Sequence, residues 1–186
     1  MPTIVDIINI RNHNSQKGRI CGDFCEFILG KDRFITGKNT MGMYTEINVC
    51  FDLLRDTPKD ITEILYCLIE GKDTPPILPN HDFFKCDRWD IVACCNSYYF
   101  DGLTNSKIAF DNISKTYKIN IRANLKNYDS EIEKFLDWLK PYIGTEGFIG
   151  YMRYEEWEDP ILIYNNFHND KIIFKNVNSE TVKKSL

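Results

Sequence analysis

The sequence predicts an α+β fold in which two helices pack on one face of a mainly antiparallel sheet. Short alternating runs separated by turn residues outnumber the helical stretches. Only two segments carry an apolar stripe at helical spacing, and each follows an alternating run. These two stretches, Tyr44 to Ile69 and Tyr117 to Ile143, also read as copies of each other, and SKIAFDN (Ser106 to Asn112) aligns without a gap on DKIIFKN (Asp170 to Asn176). The expectation is a duplicated strand–helix–strand–strand unit, residues 43–112 and 116–178, within one domain. Residues 1–42 are expected to add an N-terminal β-hairpin, and residues 179–186 a frayed tail.

In the N-terminal extension, Thr3 to Ile10 is rich in β-branched residues and reads as a strand. A polar loop follows, then an imperfectly alternating run from Ile20 to Leu29 that ends at the turn signal Gly30-Lys31-Asp32. The first unit opens with Ile47, Val49, Phe51 and Leu53 on one strand face. Thr57 reads as a helix N-cap with Pro58 at the first helical position and Asp60 in the first turn. Ile61, Ile64, Leu65 and Leu68 form the stripe, and Gly71 ends the helix. Trp89 to Phe100 is expected to be a long aromatic strand, with Lys107 to Phe110 pairing back.

The second unit repeats the pattern. Ile119, Ile121, Ala123 and Leu125 share a strand face, Asp129 is the expected N-cap, and Ile132, Phe135, Leu136 and Leu139 form the stripe. Pro141 and Gly144 terminate that helix. Phe148 to Tyr154, Ile161 to Tyr164 and Lys171 to Phe174 read as three further strands, the last two joined around Asn169-Asp170.

Composition excludes several classes. A chain of 186 residues with 43% hydrophobic content can bury a real core. Its net charge of −4 argues against a general nucleic-acid binder, which needs a basic face. No basic region precedes the first apolar run, and no apolar run approaches the roughly 20 residues that span a bilayer. The seven cysteines are odd in number and irregularly spaced, unlike a secreted disulfide framework. A cytoplasmic protein with reduced thiols, away from membranes, is therefore expected. Cys21-x3-Cys25 and the adjacent Cys94-Cys95 lack the paired spacing of a zinc site, and no phosphate loop, dinucleotide fingerprint or HExxH occurs. No cofactor or metal is expected.

The densest chemistry lies between Tyr151 and Pro160. Glu155, Glu156, Glu158 and Asp159 surround Trp157 at a turn, with Tyr151, Arg153 and Tyr154 just upstream. One reading is a solvated hairpin tip whose tryptophan folds back on the sheet. A second is a recognition patch, because Trp, Tyr and Arg anchor interfaces and acidic groups steer a basic partner. A third puts Glu155 or Glu158 in a carboxylate pair for hydrolysis, which needs two carboxyls at a set separation with pKa values pushed apart. In the first unit, Trp89 and Tyr98 lie in the matching region, either in ordinary strand alternation or meeting the later aromatics across a groove.

LKNYDSEIEKFLDWLKPYI followed by GYMRYEEWEDPILIY resembles small bacterial or prophage proteins of uncharacterised function, over roughly the C-terminal third of the chain. The resemblance carries no catalytic residues. The composite expectation is a non-enzymatic protein-binding module of immunity-protein or inhibitor type, acting through the acidic aromatic patch. The alternative is a small hydrolase or ligand-binding domain with a groove between the two units, and a structural homodimer is a third reading.

Overall fold

In the strand Thr45–Asp52 (β1), period-two alternation buries Ile47, Val49 and Phe51 on one face, with Leu53 continuing the row. The same rule buries Ile119, Ile121, Ala123 and Leu125 in Thr116–Leu125 (β3). This computed structural model describes residues 43–71, 77–97, 99–100 and 104–177, so the expected N-terminal hairpin and C-terminal tail lie outside the described residues. The remaining strands are Lys107–Asp111 (β2), Gly147–Tyr154 (β4), Ile161–Asn166 (β5) and Lys171–Asn176 (β6). They form one six-stranded sheet in the order β2-β3-β1-β4-β5-β6, antiparallel at every junction.

Two helices, Lys59–Glu70 (α1) and Glu131–Leu139 (α2), cover one face. The whole predicted stripe of α1 is buried, and all four stripe residues of α2 are fully buried. Both join the inward strand residues in a single apolar cluster. Each such side chain is worth about 1.5–3 kcal/mol on burial, so the stripes are what dock the helices.

Both helix starts differ from expectation. Pro58 occupies the cap position of α1 and the helix begins at Lys59, while the Thr57 hydroxyl donates to the Leu54 carbonyl at 2.7 Å. Thr57 therefore tightens the preceding turn instead of capping. At α2 the cap position falls to Ser130, in left-handed backbone, and Asn127 Oδ1 accepts from the Ile132 N–H at 2.9 Å. That satisfies a first-turn donor which Asp129 was expected to serve.

A second correction concerns Trp89 to Phe100, whose described residues form no strand. Short 3-10 turns at Asp82–Lys85 and Trp89–Ile91 are followed by a turn through Cys94. Val92 and Ala93 are adjacent and both fully buried. A strand would aim one of them away from the core, and a turn buries both. Phe83, Phe84 and Trp89 then pack edge-on against one another, and Phe83 and Phe84 also meet Trp138 of α2.

The first unit thus contributes β1, α1 and β2, and the second β3, α2 and three further strands. The segments SKIAFDN and DKIIFKN supply the two edge strands, β2 beside β3 and β6 beside β5. A bulge between Phe148 and Gly150 places Ile149 and Gly150 both inward. No helix among the described residues is long and apolar enough to cross a membrane.

Candidate functional site

The β4–β5 connection is a tight turn in which the Trp157 N–H donates to the Tyr154 carbonyl at 3.0 Å. Glu155 ties it to the start of β1 twice. Its N–H donates to the Tyr44 carbonyl at 3.0 Å, and its Oε2 accepts from the Tyr44 N–H at 2.9 Å. The Tyr99 hydroxyl adds a third tie, donating to the Glu155 carbonyl at 2.7 Å. On this fixed turn, Trp157 stays 42% exposed and meets the Tyr154 ring edge-on at 5.6 Å. The Tyr154 hydroxyl contacts Met43 Sδ. Glu156, Glu158 and Asp159 are exposed around the tryptophan.

The local field is negative at the rings. Burial, then the Glu156 and Glu155 carboxylates, and last the Tyr128 phenol, push the Tyr154 phenol above its ordinary value. Tyr128 itself is exposed, with the Arg88 guanidinium 5.1 Å from its ring centre.

Tyr151 and Arg153 belong to a second constellation, on the sheet face away from the helices. Register sets Arg153 opposite Glu46 and Tyr151 opposite Asn48, with Arg122 on the other side of β1. Glu46 is 1% exposed, yet its carboxylate is matched. Arg122 Nε donates to Oε1 at 3.2 Å, while Arg153 Nη2 and the Tyr151 hydroxyl each reach Oε2 at 3.4 Å. Two guanidiniums and a hydroxyl are the kind of partner set a buried carboxylate requires. The Arg153 guanidinium also stacks 5.0 Å over the Phe100 ring.

The structure therefore brings Tyr154 to Asp159 together as one surface and places Tyr151 and Arg153 in the charge cluster beside it. Trp89 is not part of either, because it packs in the helix layer against Phe83 and Phe84. Tyr98 lies outside the described residues, but its neighbours Tyr99 and Phe100 reach Glu155 and Arg153. Glu46, Tyr44, Tyr128 and Arg122 were not singled out from the sequence. Each enters through strand pairing or a turn contact, and no local pattern announces either.

Chemically, the arrangement presents a surface. Glu155 accepts from the Tyr44 backbone, and the Glu46 carboxylate is matched by two arginines. Among the described residues, no group of three or more His, Cys, Asp or Glu converges as a metal site. Comparison with protein-family models, curated proteins and solved structures gives no match.

Proposed function

We propose that this chain is a non-enzymatic protein-binding module of the immunity-protein or inhibitor kind, working in the bacterial cytosol. Its binding surface is the Tyr154–Asp159 turn, and its partner presents a basic face. One observation carries the reading: a half-exposed tryptophan, stacked on a tyrosine, is held on a turn tied at three points. An anchor already ordered before binding forfeits little conformational entropy on association. The exposed carboxylates around it favour a basic partner and speed its approach. Affinity capture from the cells that make the protein, with wild type, Trp157→Phe and Trp157→Ala, tests the reading. A partner kept by the first two, weakened at least about tenfold by Trp157→Ala and released by salt is expected. An identical partner set for all three removes the turn from consideration.

We also infer that the two strand–helix units descend from one duplicated half. Support comes from the pairing. Matching the strand face Ile47, Val49, Phe51 and Leu53 to Ile119, Ile121, Ala123 and Leu125 puts Val49 on Ile121, and the register sets these same residues opposite each other. Ile47 pairs with Ala123 and Phe51 with Ile119, as a dyad through the Val49–Ile121 pair requires. That dyad exchanges β1 with β3 and makes β4, not β6, the counterpart of β2. An experimental structure in which α1 and α2 do not exchange under the same rotation overturns the inference.

A further inference from the structure

Both helices lie on one face of the sheet, so the opposite face carries the alternate residues of all six strands. Two adjacent cross-strand rows stand out on it. Phe148, Tyr164 and Ile173 are directly paired across β4, β5 and β6, and Tyr151, Leu162 and Lys175 form the next row. Phe148 is 54% exposed, and its ring meets that of Tyr164 edge-on at 5.5 Å. Exposed apolar side chains in a contiguous patch mark a contact surface more often than isolated ones do.

The charge on this face runs against that of the whole chain. Lys107, Lys118, Arg122, Arg153 and Lys175 project from it, together with Lys171 at its margin. The carboxylates among them are half as many, three against six, and each is paired with a cation of this same face. Glu46 lies beneath Arg122 and Arg153, while Asp52 and Asp111 are both held by Lys118, at 3.3 and 3.8 Å. Two of the cations sit directly over rings, Lys175 Nζ 5.0 Å from the Tyr164 centre and Arg153 over Phe100. Between them run the amide side chains of Asn48 and Asn120, both partly exposed.

We propose that this sheet face, which neither described helix covers, binds single-stranded nucleic acid around its β4–β6 rows, with bases stacked on Phe148 and Tyr164 and phosphates met by the flanking lysines and arginines. The combination of aromatic rings with a cation excess is what separates this occupant from others. A neutral carbohydrate would use the rings and leave the cation excess without a matching charge. A second copy docked face to face would bring like charges together. Single strands use both features, because every base offers a face to stack and every nucleotide carries a phosphate. A duplex hides its base faces. The net charge of −4 sets the strength: long-range repulsion from the acidic turn keeps the affinity modest, and the binding stays local to this face. This proposal is independent of the Trp157 surface.

Fluorescence anisotropy with labelled oligouridylate and oligothymidylate of about ten nucleotides, a size one such surface covers, tests it. Expected are saturable binding in the micromolar range and a fall in affinity with salt, with a log–log slope of roughly −2 for about three phosphates. Phe148→Ala should weaken binding about tenfold and Phe148→Trp should retain it, since stacking and not mere bulk is at stake. Lys175→Glu should weaken it as well, while Trp157→Ala should leave it unchanged. Thermal melts of each variant show whether the fold is intact. No binding by the wild type, equal binding of a duplex, or loss that follows Trp157 and not Phe148 overturns the proposal. So does equal affinity for heparin that Phe148→Ala does not alter, because that is charge attraction alone.

Discussion

Gly150 and Gly147 stand three residues apart in β4, and both have positive φ, at +150° and +89°. They answer to different constraints. A Cβ on Gly150 would lie 2.1 Å from the Asn48 carbonyl oxygen, a backbone atom of the neighbouring strand that cannot swing away. A Cβ on Gly147 meets nothing within 4 Å. Gly150→Ala is therefore expected to cost roughly 3–5 kcal/mol, from strained backbone plus a forced separation of β1 and β4. Gly147→Ala carries only the conformational part, about 1 kcal/mol. Urea denaturation of the two variants checks this, and equal losses would show that the close approach at the bulge is not what demands glycine. Glu46 makes a related point about what single residues reveal. Within Thr45-Glu46-Ile47 it reads as a solvent-facing strand residue, and alternation does put it on the outer face. Its burial arises because strands distant in sequence set Arg122 and Arg153 on either side of it. No window of neighbouring residues contains that information.

At the level of elements, the stripes were legible and the caps were not. Period 2 and period 3.6 are repeated signals, so Ile47 through Leu53 and Ile132 through Leu139 each declare a face several times over. A cap is one residue and one hydrogen bond, so the acceptor passed from Asp129 to Asn127 without disturbing the pattern. The Trp89 to Phe100 segment failed for another reason. Its aromatics favour strands by propensity, but Phe83, Phe84 and Trp89 gain more by closing over Trp138, and the chain turns to allow it. The candidate site divides the same way. The turn from Tyr154 to Asp159 was visible from its composition, whereas its ties to Tyr44 and Tyr99 depend on tertiary contact. The stripes also fix a magnitude. Leu136 is fully buried between α2 and the sheet, so Leu136→Ala leaves a cavity and should cost roughly 2–5 kcal/mol. A loss below about 1 kcal/mol in a chemical melt would mean that α2 is not docked as described.

Across the whole molecule, the order β2-β3-β1-β4-β5-β6 interleaves the two units. Strand β3, from the second unit, sits between β2 and β1 of the first, and β1 in turn pairs with β4 along most of its length. The first unit's β1 and β2 do not touch and join one sheet only through β3, while β4, β5 and β6 of the second unit reach β3 only through β1, and the apolar cluster runs through both stripes without a break. Two domains joined side by side would unfold one at a time, but interleaved units must lose their shared strands together. Urea unfolding is thus expected to give a single transition that coincides by tryptophan fluorescence and far-ultraviolet circular dichroism. Fluorescence reports Trp89 and Trp138 in the helix layer and Trp157 at the turn, while circular dichroism reports the backbone throughout. Leu136→Ala should move both curves to lower urea by the same amount, because loosening α2 weakens the apolar cluster that both helices share. Separate midpoints, or a shift confined to one probe, would show that the units hold their structure independently despite the shared sheet.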